Sequence, residues 1–208
     1  MVKAGKALGR IARERGFRTL ITGKWPVSDV VCTGVPKDER EVKRLRRQYP
    51  EQWWIYPNKA LSTKNRCYTR YVFGFGAWQF GVNGVVPWTF QMSQGCNGNP
   101  FSVLDGEEVM VAYPGKDELL CTPTWETIRD GINDYKYIYL LERLIAAERK
   151  KGNEAAFQIE QELDGVKKKL GKMPGIDENA YGDWSPEAFE QKRKQIVDWI
   201  LQLSSLEL

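Results

Sequence analysis

Hydrophobic residues are distributed along this chain in two patterns, short unbroken runs and stripes with helical spacing. The runs have the length of strands and predict five β-strands, over residues 17–23, 28–34, 52–58, 84–90 and 107–115. The stripes predict helices over residues 3–15, 36–49, 64–80, 122–150, 153–170 and from 185 onward. Strands that are apolar throughout and alternate with helices indicate a parallel sheet that is covered on both faces.

Residues at the segment ends support these helices. Gly16 is expected to end the first helix, and Pro36 is expected in the first turn of the second. Thr122 and Pro123 form the N-cap and first position of the long helix. That helix carries an apolar row that predicts its buried face: Trp125, Ile128, Ile132, Tyr135, Tyr139 and Leu144.

The number of strands limits the architecture. A complete (β/α)8 barrel needs about 250 residues, whereas about 150 precede the helical tail here. The sheet is therefore either open or the C-terminal part of a larger barrel. Because five strands leave an apolar edge unpaired, we expect the chain to pair with an N-terminal barrel half or to self-associate.

Charge is uneven along the chain. The formal net charge is +4, but the first 50 residues carry 13 Lys/Arg and 5 Asp/Glu, which makes them basic and the remainder acidic. A basic head can bind nucleic acid. However, Arg44, Arg46 and Arg47 lie near the C-terminal end of a predicted helix, where the helix dipole favours cations. We therefore favour a solvated helix face and keep nucleic-acid binding as the weaker alternative.

Composition excludes several kinds of chemistry. The chain has no histidine, which excludes every mechanism with a histidine base and every histidine-containing zinc site. Four cysteines without a C-x-x-C pair predict free or buried thiols. No metal or cofactor motif is present, so no cofactor is expected. The N-terminus has no secretory signal pattern and no segment is apolar enough for a membrane span, so the default expectation is a cytoplasmic protein that does not contact membranes.

A series of motifs runs from residue 53 to residue 135. W-W-x-Y-P-N-K is followed by R-x-x-x-x-x-x-x-G-x-x-A-W-Q-F-G-V-N-G-V-x-P-W, and then by N-P-F, L-D-G-E and A-Y-P-G. The series ends with T-P-T-W-E-x-I-R-D-G-I-N-D-Y. Together these motifs resemble the C-terminal half of the glycoside hydrolase family 123 catalytic domain and its uncharacterised relatives, over about half of the chain.

The resemblance implies a (β/α)8 barrel that acts on β-linked N-acetylhexosamine glycans, with the sugar's own acetamido oxygen as the nucleophile. The predicted fold is then a partial (β/α)8, TIM-like barrel, about its C-terminal half, over residues 1–150. A helical extension over residues 151–208 is expected to pack on it. The family's adjacent Asp-Glu pair would lie upstream of residue 1, because no Asp-Glu pair in this sequence ends a predicted strand. The chain alone is therefore expected to have no catalytic residues, and Thr124 and Asn133 replace the Arg and Glu of the family pattern.

Candidate sugar contacts follow the predicted strands, where the functional face of a barrel lies. Residues 53–90 hold 11 of the chain's 25 aromatic residues, and aromatic rings pack against the C–H faces of sugars. The substrate-binding candidates are Tyr56, Asn58, Arg66, Trp88, Gln91, Asp105 and Tyr113. Core packing is an equal alternative for Tyr56 and Trp88, whereas Trp53 and Phe75 are assigned to the core. Loop solvation is an equal alternative for Asn58 and Arg66, and a turn role is favoured for Asp105.

Three hypotheses therefore compete. The chain is a portion of a glycoside-hydrolase-like barrel, or a non-catalytic carbohydrate-binding module built on the same aromatic residues, or a nucleic-acid binder. The aromatic residues begin after residue 50, away from the basic segment, and this separation counts against nucleic acid. Aminosugar glycans are the expected ligand of the first two.

Overall fold

The computed structural model of the chain describes residues 2–22, 28–50, 52–57, 65–87, 111–114 and 116–204. The helices are α1 Val2–Glu14, α2 Glu39–Gln48, α3 Arg66–Phe73, α4 Phe75–Phe80, α5 Pro123–Lys150, α6 Glu154–Lys168 and α7 Pro186–Ser204. The strands are β1 Leu20–Thr22, β2 Val30–Thr33, β3 Trp53–Ile55, β4 Gly84–Val85, β5 Ala112–Pro114 and β6 Leu119–Cys121. The chain forms two compact units, residues 1–58 with 80–88, and residues 59–79 with 89–208. The boundary expected after residue 150 lies within the second unit.

The first unit is built on a parallel sheet. Its strands follow chain order, β1-β2-β3-β4, and all three pairings are parallel. α2 follows β2 and precedes β3, as in a β-α-β unit. The prediction of a mixed α/β fold with a parallel sheet is therefore confirmed.

The core of the first unit lies against β2 and β3. Trp53 and Ile55 of β3 are buried, as are Val42 and Leu45 of α2, and Trp53 was predicted to lie in the core. Trp54 points to the other face of the sheet and is half-buried. Its ring lies so close to β4 that a Cβ on Gly84 would be 2.5 Å from it, so glycine is required there.

The second unit is a helical assembly around α5, which packs against α3, α6 and α7. Ile138, Leu141 and Ile145 of α5 are buried. Tyr71, Phe75, Trp184 and Phe189 form an aromatic cluster with ring centroids 4.8 to 6.1 Å apart. The predicted helical C-terminal segment is thus an integral part of this core.

The fifth predicted strand was expected to belong to the parallel sheet, and this prediction is wrong. β5 does not extend the parallel sheet but pairs antiparallel with β6. Only four residues separate the two strands, and so short a connection allows an antiparallel hairpin but no parallel crossover. The described parallel sheet therefore has four strands.

Two predicted helix limits also differ from the structure. α2 begins at Glu39 rather than at Pro36, because the Asp38 side chain accepts a hydrogen bond from the Glu41 N–H and caps the helix. The helix predicted over 64–80 is divided at Gly74 into α3 and α4. A Cβ on Gly74 would lie 2.7 Å from the Gly131 carbonyl oxygen, so the break allows α3 to approach α5 closely.

The predicted buried face of α5 is largely wrong. Ile128 is buried, but Trp125, Ile132, Tyr135 and Tyr139 are exposed. The face that packs into the unit instead includes Gly131 and Asp134. Hydropathy did not indicate these positions, because one residue has no side chain and the other is charged.

Candidate functional site

The carboxyl edge of the parallel sheet is the first candidate site. Thr33 pairs with Ile55 and Ile55 with Val85, so the next residues, Gly34, Tyr56 and Val86, lie at one level beyond the strands. The backbone N–H of Tyr56 donates to the Thr33 carbonyl at 2.7 Å and continues the ladder. Tyr56 is therefore fixed at the edge where ligands of parallel α/β proteins bind.

Space and chemistry at this edge suit a polar ligand with an apolar face. Tyr56 is half-buried, and burial, together with the nearby Cys32, raises the pKa of its phenol, so the hydroxyl is neutral at pH 7. Next to it, Gly34 is exposed, and a Cβ on it would meet no atom of the described residues within 4 Å. The Thr33 hydroxyl accepts a hydrogen bond from the Trp53 indole N–H at 2.8 Å and donates to the Gly34 carbonyl at 3.0 Å. These bonds fix the backbone beside the open space.

The other predicted sugar contacts lie elsewhere in the structure or outside the described residues. Asn58, Trp88, Gln91 and Asp105 lie outside the described residues. Tyr113 was expected to end the last strand of the parallel sheet, but it pairs with Leu120 in the β5–β6 hairpin. That expectation is therefore corrected.

Arg66 lies in the second unit, at the first position of α3, beside a cleft of about 600 Å³. The N-terminal turns of α3, α5 and α7 surround this cleft, and its walls include Cys67, Thr127 and Phe189. Asn65 caps α3 through hydrogen bonds from the Cys67 and Tyr68 N–H groups. The Arg66 side chain is exposed, so it is available to a ligand in the cleft.

Arg70, also in the cleft wall, belongs to a buried ion-pair cluster. The Asp134 carboxylate is fully buried and accepts from Arg70 Nε at 2.7 Å and from Arg193 Nε at 2.6 Å. Arg70 also contacts Glu190 at 2.8 Å. Burial lowers the pKa of Arg70, but the two carboxylates outweigh this effect and raise it, and Arg70 in turn lowers the pKa of Glu190. The cluster joins α3, α5 and α7 within the second unit.

The described acidic residues form no catalytic pair at the sheet edge. Asp38 caps α2, while Asp117 with Glu118 and Asp177 with Glu178 are exposed in connecting segments of the second unit. Among the residues that the structure describes, no group of three or more His, Cys, Asp or Glu side chains could hold a metal ion. None of the described helices is long and apolar enough to cross a membrane.

Sequence reasoning missed the cleft and the open position beside Gly34. Three helix ends that are far apart in the chain form the cleft, and no local pattern indicates their convergence. The chain matches no family model and no curated protein. The resemblance to a glycoside hydrolase stays a prediction that rests on the motifs of the sequence.

Proposed function

We propose that this chain is the C-terminal portion of a glycoside-hydrolase-like (β/α)8 barrel and that it binds β-linked N-acetylhexosamine glycans without hydrolysing them. The observation that carries the proposal is a parallel sheet in chain order with Tyr56 at its carboxyl edge. Eight parallel strands in chain order make a complete barrel, so four correspond to one half.

The binding site is proposed at the carboxyl edge of the first unit. The Tyr56 ring offers an apolar face to the C–H groups of a sugar and its neutral hydroxyl can donate to a sugar oxygen. The open position beside Gly34 leaves room for the ring of the sugar. Asn58 and Trp88, which follow β3 and β4 in the sequence, are the further contacts proposed in this unit. The assignments of Arg66, Gln91 and Asp105, which belong to the second unit, stay predictions.

A carbohydrate titration of the full chain tests this site. A β-linked N-acetylhexosamine disaccharide should bind in calorimetry or NMR titration, and Tyr56→Ala should weaken binding by about fivefold, since a ring-to-sugar contact contributes on the order of 1 kcal/mol. Gly34→Leu should weaken binding equally while leaving the melting temperature unchanged, because it fills open space. The matched control is Tyr49→Ala, which removes a half-buried tyrosine at the end of α2.

Two results would contradict the proposal. One is a lack of binding at tens of millimolar sugar, and the other is binding that Tyr56→Ala and Gly34→Leu leave unchanged. The expected lack of hydrolysis is tested separately with a nitrophenyl N-acetylhexosaminide. Turnover by the purified chain would overturn the non-catalytic part alone.

A further inference from the structure

One face of α5 exposes large apolar side chains. Trp125, Ile132, Tyr135 and Tyr139, here called the α5 seam, are each between 37 and 54% exposed. Trp125, Ile132 and Tyr139 follow one another at intervals of seven residues, and Tyr135 lies three residues after Ile132. This is the a and d spacing of a coiled-coil seam, and it extends over about 21 Å of helix.

A row of cations lies beside the seam. Arg129, Lys136, Arg143 and Lys150, here called the cation row, are also seven residues apart, and each follows an a position by four residues. They therefore occupy the e positions, which pair with charged residues of a partner helix. Arg129 is paired with Glu126, whereas Lys136, Arg143 and Lys150 are exposed and make no ion pair within the described parts of the chain.

The seam is separate from the surface that holds α5 in the second unit. Gly131, Ile138 and Ile145 flank the seam at the g positions, on the side away from the cation row, and they are buried together with Asp134. The Asp134 ion pairs fix the orientation of this side. The seam is thus presented on a helix that is already anchored.

Charge argues against a second copy as the occupant. In an antiparallel pair of identical helices the e positions face each other, so two cation rows would repel. In a parallel pair they would face the g positions, which are Thr124, Gly131, Ile138 and Ile145 and are buried within the chain itself. Neither arrangement neutralises the row.

We propose that the α5 seam and cation row form a docking surface for an amphipathic helix of a partner protein, whose apolar seam is flanked by acidic residues. Apolar contacts along the seam provide the binding surface, and carboxylates opposite Lys136, Arg143 and Lys150 select the partner and its orientation. This inference does not depend on carbohydrate binding.

Two labelled synthetic helices of 28 residues test the proposal with the full chain. Both carry Leu at the a and d positions, and one carries Glu and the other Lys at the e and g positions. In fluorescence anisotropy at 50 mM salt the Glu peptide should bind at least tenfold more tightly, and 500 mM salt should reduce this preference. Charge reversal by K136E, R143E and K150E together should make the Lys peptide the tighter ligand.

Two controls separate the docking surface from net charge and from misfolding. R40E, R47E and K172E together change net charge equally at exposed positions elsewhere and should leave the preference intact. I132D should weaken both peptides at least tenfold with an unchanged circular dichroism spectrum. The proposal is overturned if neither peptide binds at 100 μM, if both bind equally, or if the reversal on α5 has no effect. Self-association that the same reversal abolishes would overturn it in favour of a second copy.

Discussion

At the scale of single residues, the most specific motif of the chain has a structural role. In R-D-G-I-N-D-Y, Asp134 lies on the buried side of α5 and binds two arginines from helices 64 positions earlier and 59 positions later in the chain. Gly131 of the same motif lies where a Cβ would be 2.6 Å from the Arg70 carbonyl oxygen. The motif therefore joins three helices of the second unit.

Asp134→Asn should destabilise the second unit by about 3 kcal/mol, because it leaves Arg70 and Arg193 partly buried without their carboxylate. Chemical denaturation measures this loss. The matched control, Asp164→Asn, removes an exposed carboxylate 3.5 Å from Lys168 and should change the free energy of unfolding by less than about 0.5 kcal/mol. Equal effects of the two substitutions would contradict the structural role of the cluster.

Asp29 makes the first unit sensitive to acid. The Thr19 backbone N–H and hydroxyl donate to its carboxylate at 2.8 and 2.9 Å and, with Arg13, hold the pKa of Asp29 below its usual value. A lowered pKa in the folded state gives stability that is present above the unfolded pKa and is lost as pH falls towards the folded value. The urea midpoint of the wild type should therefore fall more steeply between pH 5 and pH 2 (roughly the range of carboxylate titration) than that of Asp29→Asn. Parallel curves would show that these hydrogen bonds do not contribute.

At the scale of elements, glycine decides how closely α3 and α5 can cross. Gly74 ends α3 and Gly131 lies within α5, and a Cβ on either would meet backbone or Cβ atoms of the other helix at 3.2 Å or less. Glycine within a helix costs about 1 kcal/mol relative to alanine, so its presence at position 131 has a packing reason.

Gly131→Ala should therefore destabilise the chain by about 1–3 kcal/mol despite the better helix propensity of alanine, since a methyl group forces the two helices apart. Gly165→Ala is the matched control on α6, where a Cβ meets no atom within 4 Å. It should stabilise the chain by about 0.5–1 kcal/mol. Thermal unfolding measures the change in stability of both variants. A change of the same sign in both would count against the packing argument.

At the scale of the whole molecule, each outer strand of the described parallel sheet has one partner strand. Among the described residues, β1 pairs with β2 alone and β4 pairs with β3 alone. Phe17 and Leu20 are exposed beside the β1 edge. Exposed apolar edge strands pair with other chains, so the expectation of an N-terminal barrel half or of self-association stays a prediction.

Leu20→Lys should reduce self-association, because a lysine at an edge strand opposes strand addition from another chain. Sedimentation velocity of the wild type should show a mass that rises with concentration, and the variant should stay closer to the 24.0 kDa of the monomer. Because Leu20 is exposed, the melting temperature of the dilute protein should be unchanged. A wild type that is monomeric at every concentration would contradict the prediction.

The sequence by itself determined the local structure. Hydrophobic runs and helical spacing located the four parallel strands and the helices of the described residues. Thr122 was identified as the cap of α5, and Trp53 and Phe75 were placed correctly in the core. These features depend on contacts within about four residues or on burial of a large aromatic side chain, and both are visible in a linear pattern.

Only the tertiary structure decided which surfaces meet. It paired β5 with β6, exposed the predicted apolar face of α5, and placed Arg66 at a cleft formed by three helix ends. Tyr56 could be predicted because a strand end determines its position, whereas the open space beside Gly34 depends on neighbouring segments. The physical reason is separation along the chain. The buried face of α5 is determined by Arg70 and Arg193, about 60 residues away, and no periodicity within one segment carries that information.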